Sequence, residues 1–355
     1  MTFSSNQMNP KWFEPASKFV DSLFPAAVAK LGQLVKIPGI AWPSFDQGNL
    51  EISAEKVADE FRQLQFFDFV EIRRAAKPSG ELGAPAVVAR KAGHPSAPHV
   101  LLYAHHDVQP PGDRSLWETE PFEATLKGDR LFGRGASDDK SGIITHLTSL
   151  RAFIQLATEI RSGVTVFVEG EEEAGSESFP EFLRENHADL AADLIVVADS
   201  GNWSEDVPAL TSSLRGMVSQ TFTLKTLDHA LHSGMYGGPL PDANTAMIRL
   251  LASLTDEKGS VAISGLDSVS IDGPELSDEE FGQVAGLLPG VERLGTKSVT
   301  QQIWGEPAVT VIGLDFPAVD VASNTAQPAI RAKISLRLAP SQDPQSGLEA
   351  LRDHL

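Results

Sequence analysis

The chain has 355 residues, 41% hydrophobic and 22% charged, a balance typical of a soluble globular protein with room for two domains. Its 29 basic and 48 acidic residues give a formal charge of −19, which argues against binding to nucleic acid or anionic lipid. It has no cysteine, so disulfides and cysteine nucleophiles are excluded, and any metal must be held by His, Asp or Glu. With no membrane-length apolar run and no signal-peptide pattern at the N-terminus, a cytoplasmic protein is expected.

The first half of the chain predicts an α/β domain with a largely parallel sheet flanked by helices. Residues 18–36 are predicted to be helical, with an interruption near Pro25. Three short apolar runs rich in β-branched residues follow, at His99–Tyr103, Val164–Val168 and Ala192–Ala198. Runs of this kind predict strands that are buried on both faces. Residues 141–156 carry apolar side chains at helical spacing, as a crossover helix between the first two strands requires.

The pattern changes after residues 202–208, and we place a domain boundary between residues 212 and 213. The elements predicted beyond it are a strand at 216–226, a helix at 241–254, strands at 308–316 and 329–340, and a helix at 346–355. This order predicts a smaller α+β unit with an antiparallel sheet.

Potential metal ligands follow each of the three apolar runs. They are His105, His106 and Asp107 after the first, Glu169 and Glu171–Glu173 after the second, and Asp199 after the third, with Asp138 and Asp139 before the crossover helix. Because parallel strands end at the same edge of a sheet, we expect these side chains to lie close together. Histidine with carboxylates, and without thiolates, is the ligand set of Zn, Mn or Co in a hydrolytic site.

Each of these clusters also has a purely structural interpretation. An acidic run is usually a solvated surface, and a His-Asp pair after a strand is more often a turn. The Asp138–Asp139 pair is compatible with a helix N-cap. Their coincidence at strand ends favours the metal site.

Five motifs, taken in chain order, make this sequence similar to a known family. HHDVQP, GRGASDDKSG, EGEEEAGS, VVADSGNW and LHSGMYGG resemble the M20 family of metallopeptidases, particularly its carnosinase-like dipeptidase branch. The resemblance extends from about residue 20 to the last residue. It implies that residues 1–212 form the catalytic domain. Residues 213–355 would form a ferredoxin-like lid through which the protein forms a homodimer.

The resemblance also implies a centre of two divalent metal ions, with zinc expected first and manganese or cobalt as alternatives. In the H-x-D motif the ligand stands two residues before the aspartate, which selects His105 over His106. Asp138 would bridge the two ions, and its bond to Asp139 would be a cis peptide. The terminal ligands would be Glu173 and Asp199.

Two further acidic residues receive catalytic roles from the same resemblance. Asp107 would orient the imidazole of His105 and raise its basicity. Glu172 would be the general base, taking a proton from the metal-bridging water and delivering it to the leaving amine. Glu169 and Glu171 are expected to be structural or solvated.

Two residues of the second domain match substrate-binding positions of the family. His232, in LHSGMYGG, corresponds to a lid histidine that reaches the active site of the partner subunit and polarises the substrate. Arg337 corresponds to a lid arginine whose guanidinium binds the substrate carboxylate.

The expected function is metal-dependent hydrolysis of dipeptides or short peptides, because aspartate at the position of Asp199 goes with such substrates in the family. An N-acyl-amino-acid deacylase of the deacetylase or desuccinylase type is the first alternative. The family's last metal-ligand histidine has no counterpart in its usual context, since only His354 lies beyond His232. The closing segment of the catalytic domain is therefore expected to be missing. A catalytically impaired relative, acting as a metal- or peptide-binding protein or a dimerisation partner, stays open as a further alternative.

Overall fold

A computed structural model describes residues 10–157, 159–204 and 207–355. The chain divides into two compact units, one extending to Ala209 and one comprising Leu210–Leu355. The division lies close to the boundary predicted at residue 212.

The described residues of the first unit form five α-helices and seven strands. The helices are α1 (Pro10–Val35), α2 (Gly48–Arg62), α3 (Lys140–Leu156), α4 (Phe179–Glu185) and α5 (His187–Leu190). The strands are β1 (Phe69–Arg73), β2 (Ala86–Lys91), β3 (His99–His105), β4 (Thr125–Lys127), β5 (Arg130–Phe132), β6 (Gly163–Glu169) and β7 (Leu194–Val197).

A five-stranded sheet in the order β1-β2-β6-β3-β7 forms the centre of this unit. Strand β3 is parallel to both of its neighbours, β6 and β7, whereas β2 is antiparallel to β1 and β6. Four strands therefore run in one direction and β2 runs against them. The α/β class with a largely parallel sheet is confirmed, with one reversed strand that the sequence did not indicate.

Helices cover both faces of this sheet. On one face, apolar side chains of α1, α2 and α3 pack against β2, β3 and β6, and Phe61 and Leu147 are fully buried there. On the other face, Phe182 of α4 and Leu190 of α5 pack against Leu101 and Phe167. Burying a side chain of this size stabilises the fold by about 1.5–3 kcal/mol.

The interruption predicted near Pro25 is wrong, because α1 is one helix with both Pro15 and Pro25 inside it. A proline inside a helix costs about 3 kcal/mol through the lost hydrogen bond and the ring clash. Leu31 and Leu34 of the same helix pack into the core cluster. We attribute the continuity of α1 to this packing, which offsets the cost of the proline.

Strand β7 departs from the prediction that all three apolar runs are buried on both faces. Its four side chains, Leu194 to Val197, are between 40% and 59% exposed. In the described part of the chain β7 pairs only with β3 and lies at the edge of the sheet. Its apolar composition indicates a buried parallel strand, but its edge position leaves it uncovered.

The second unit contains five helices and five strands. The helices are α6 (Ser233–Tyr236), α7 (Ala243–Ala252), α8 (Asp278–Ala285), α9 (Val299–Trp304) and α10 (Pro344–His354). The strands are β8 (Gly216–Lys225), β9 (Leu231–His232), β10 (Ala308–Leu314), β11 (Thr325–Ala326) and β12 (Ala329–Leu338).

An antiparallel sheet in the order β10-β12-β8 organises this unit. Met247 of α7 and Leu351 of α10 are fully buried against residues of β12, among them Ile330 and Leu336. The predicted α+β order of strand, helix, two strands and helix is therefore found, although the predicted helix at 346–355 begins two residues earlier, at Pro344.

No helix among the described residues is both long enough and apolar enough to cross a membrane.

Candidate metal centre

The parallel strands bring the predicted ligands to one edge of the central sheet. His105 is the last residue of β3, and Asp199 follows β7. Glu172 and Glu173 lie in a 3-10 turn, Glu172–Ala174, just after β6. Because β3, β6 and β7 run in the same direction, their carboxyl ends meet, as expected from the sequence.

The imidazole of His105 is fully buried and lies at the centre of this group. Its Nε2 is 3.0 Å from Oδ1 of Asp138. The same atom is 3.9 Å from Oε2 of Glu172 and 3.9 Å from Oδ2 of Asp199. Glu172 is therefore as close to the imidazole as Asp199 is.

The carboxylate of Asp107 connects the imidazole to the turn after β6. Its Oδ1 lies 3.2 Å from Nδ1 of His105. The backbone N–H of Glu172 donates to Oδ1 over 3.2 Å, and that of Glu173 donates to Oδ2 over 3.1 Å. Asp107, itself fully buried, thus aims Nε2 of the histidine at the carboxylates and fixes the two glutamates in place.

Asp138 and Asp139 stand on opposite sides of a cis peptide bond, in agreement with the resemblance. The Asp138 side chain is exposed and faces His105. Asp139 is buried, and its Oδ2 accepts the backbone N–H of His105 over 3.1 Å. Burial, with the charges of Asp199 and Asp138, raises the pKa of Asp139 to about 7 against the opposing effect of His105.

His106 is buried but does not join the group. Its ring Nε2–H donates to the carbonyl of Pro85 over 2.8 Å. Burial lowers its pKa to about 4, so the ring is neutral at neutral pH. His106 is thus hydrogen-bonded to the backbone, whereas His105 faces the carboxylates.

Negative charge is concentrated around His105. Burial lowers the pKa of this imidazole, but the hydrogen bond and charge of Asp107, with the charges of Asp139 and Glu172, outweigh it and raise the pKa to about 10. Burial and the charge of Asp199 raise the pKa of Glu172 in spite of the nearby histidine. Bound cations would relieve this repulsion.

The donor atoms fit divalent metal ions. Two groups of side chains each bring their ligand atoms within 4.8 Å of one another. One group is His105, Glu172 and Asp199, and the other is His105, Asp138 and Glu173. One imidazole nitrogen with carboxylate oxygens is a ligand set for Zn, Mn or Co. The bridging, terminal and base roles assigned within these sets stay predictions.

Glu169 and Glu171 are buried, so the expectation that they are structural holds and the solvated alternative is wrong. Tyr103 donates its hydroxyl to Oε2 of Glu169 over 2.8 Å. Glu171 accepts the backbone N–H groups of Ala84, at 3.0 Å, and Ser178, at 2.6 Å. These carboxylates hold chain segments in place behind the turn.

His232 and Arg337 both belong to the second unit. His232 ends β9, is exposed, and accepts the backbone N–H of Gly234 at Nδ1 over 3.1 Å, so that Nε2 is the ring nitrogen that can donate. Arg337 is exposed on β12, opposite Ala308 and Met217 of the neighbouring strands. Their substrate-binding roles stay predictions.

Two polar residues that lie near these groups were not predicted from the sequence. Gln109 donates its side-chain N–H to Oε2 of Glu173 over 2.6 Å. Arg215 in the second unit has its pKa lowered by burial and by the charge of Arg337, which places the two guanidinium groups near each other. Gln109 lies inside the HHDVQP motif, so the motif could have indicated it as a site residue. No motif of the sequence pointed to Arg215.

The sequence matches a known family and several known proteins. The profile of Peptidase family M20/M25/M40 matches residues 101–341. A cysteinylglycine-S-conjugate dipeptidase from Corynebacterium striatum is 36% identical over 260 residues, which are 72% of this chain and 56% of that protein. A beta-Ala-His dipeptidase from Rattus norvegicus is 28% identical over 317 residues, 84% of this chain and 64% of that protein. The chain thus spans less than two thirds of the length of these two relatives.

Solved structures share the fold. The di-peptidase Dug1p from Saccharomyces cerevisiae superimposes with a TM-score of 0.77 at 23% identity, over 96% of this chain and 75% of that one. Human carnosine dipeptidase 1 gives a TM-score of 0.75 at 24% identity, with the same coverage.

Proposed function

Because this chain belongs to peptidase family M20/M25/M40, we propose that it hydrolyses the peptide bond of dipeptides or short peptides with two divalent metal ions. Zinc is the first candidate, with manganese or cobalt as alternatives. The observation that carries the proposal is the pair of side-chain groups around the buried His105, of which the proposal takes Glu172 as the base and the other members as ligands. The names of the relatives, which are dipeptidases, favour a dipeptide substrate.

In this proposal His105, Asp138, Glu173 and Asp199 hold the ions. When bound, the ions polarise the scissile carbonyl and acidify the attacking water. Glu172 takes a proton from that water at its carboxylate and returns it to the leaving amine. The raised pKa of Glu172 suits this task, because a base works best when its pKa approaches the working pH.

The second unit supplies substrate contacts in this proposal. His232 polarises the substrate through its Nε2–H, and Arg337 binds a carboxylate with its guanidinium fork. The resemblance further supports a homodimer formed through this unit, and a cytoplasmic location stays a prediction from the sequence.

The test is amino-acid release from a panel of free and N-acetylated dipeptides with added Zn²⁺ or Mn²⁺. Cleavage of free dipeptides only, abolished by a chelator, is the expected result. Cleavage of the N-acetylated substrates only would replace the proposal with a deacylase. If no substrate is cleaved although zinc binds, the protein is a non-catalytic metal-binding relative.

A further inference from the structure

The side chain of Gln109 contacts one proposed metal ligand and stands outside the ligand sets themselves. Its Nε2 lies 2.6 Å from Oε2 of Glu173 and 3.4 Å from the carbonyl oxygen of the same residue. Gln109 therefore stabilises the charged form of the carboxylate, the form that binds a cation.

The backbone that directly follows Gln109 is fixed. Arg134 donates from Nη2 to the carbonyl of Pro110 over 3.2 Å. Trp117 donates from Nε1 to the carbonyl of Pro111 over 2.8 Å, and the Arg134 guanidinium lies over the Trp117 ring at 5.3 Å from its centroid. The two residues after Gln109 are thus held by two side chains that also contact each other.

Asp107 and Gln109 act on different parts of Glu173. Asp107 accepts the backbone N–H of Glu173, which fixes where its side chain starts. That hydrogen bond leaves the side-chain torsions of the glutamate free to rotate. Gln109 holds the far end by donating to Oε2, and this contact leaves Oε1 available.

We propose that Gln109 is a positioning residue that fixes the Glu173 carboxylate for one of the two cations. This inference rests on the proposed metal function. Hydrogen bonds to metal ligands from outside the ligand set change metal affinity by about 10- to 100-fold. Gln109 sets the affinity of the ion that Glu173 binds and leaves the other ion unaffected.

The experiment is zinc titration of the full chain in competition with a chromophoric chelator, for wild type and Gln109→Met. Methionine keeps the length of the side chain and removes the N–H donor. We expect the affinity of one ion to fall about 10-fold or more, with the other unchanged. Gln109→Asn, whose amide is too short to reach Glu173, is expected to give the same result and covers the case in which the methionine variant does not fold.

Gln47→Met is the matched control. Gln47 lies in the same unit and its amide donates to backbone carbonyls, among them that of Trp42 over 2.8 Å. Wild-type zinc affinity in this control, together with an unfolding temperature of metal-free Gln109→Met close to that of wild type, would support the positioning role. Equal losses of affinity in both methionine variants would overturn it.

Two other outcomes separate this inference from the proposed function. Zinc binding by Gln109→Met that matches wild type in both steps would overturn the role of Gln109 and leave the metal centre standing. A wild-type chain that binds no zinc would overturn the metal centre, and the role of Gln109 with it.

Discussion

The Asp107 carboxylate joins two chain segments that are 65 residues apart, the end of β3 and the turn after β6. Its geometry gives the two neighbouring histidines different roles. The imidazole of His105 meets Asp107 with one nitrogen and the ligand carboxylates with the other. The imidazole of His106 binds a backbone carbonyl and is neutral.

We therefore predict that His105→Ala abolishes both zinc binding and peptide hydrolysis. His106→Ala should instead lower thermal stability, because it leaves a cavity and an unpaired carbonyl at Pro85, at a cost of about 1–3 kcal/mol. Zinc titration and thermal unfolding of the two variants measure the difference. Equal losses of zinc in both variants would contradict the assignment.

The Glu172 carboxylate is the proposed base, and Glu172→Gln tests it. The amide keeps the size of the side chain but cannot take up a proton, so turnover should fall about 100-fold or more while zinc stoichiometry is unchanged. Turnover and bound zinc are to be measured on the same preparation. Glu169→Gln is the matched control from the same acidic run. Near wild-type turnover in Glu172→Gln would exclude the residue as the base.

At the level of elements, a buried ion-pair network joins α1 to α2. Glu60 of α2 is 2% exposed, and its carboxylate pairs with Lys30 of α1 and, over 3.2 Å, with Lys56. Burial raises the pKa of Glu60, but the hydrogen bonds and charges of the two lysines outweigh it and lower the pKa below its ordinary value of 4.5. The charged form is thus favoured in the folded state.

This shift predicts a loss of stability in acid. Because the folded pKa is lower than the unfolded one, the stabilisation is complete above about pH 4.5 and is lost as the pH falls through the folded value. Thermal unfolding of wild type and Glu60→Gln should therefore differ at pH 7, and the difference should shrink as the pH falls below 4.5. Glu55→Gln, on the exposed side of the same helix, is the control. A difference that is constant with pH would contradict the prediction.

On the scale of the whole molecule, the proposed work is divided between two units. Among the described residues, the donor atoms that fit metal ions lie in the first unit, whereas His232 and Arg337 lie in the second. Metal binding and substrate binding should therefore be separable by mutation. Each unit has its own apolar core.

His232→Ala is predicted to lower turnover about 100-fold, on the scale of a lost polarising donor, without changing zinc stoichiometry. Steady-state kinetics and metal analysis of the same variant check this. His229→Ala, three residues earlier, is the control, because that ring pairs with its exposed neighbour Asp228. A loss of zinc in His232→Ala would show that the division between the units is wrong.

The sequence by itself determined the fold class and the edge where the ligands gather. Apolar runs separated by a helical segment specify parallel strands, and parallel strands place whatever follows them at one edge. The tertiary structure decided which acidic side chains face that edge. The turn after β6 points Glu172 and Glu173 toward His105, whereas Glu169 and Glu171 are buried against other segments, a distinction that depends on local backbone geometry. It also decided the exposure of β7 and the reach of Gln109 to Glu173, because both depend on neighbours distant in the chain.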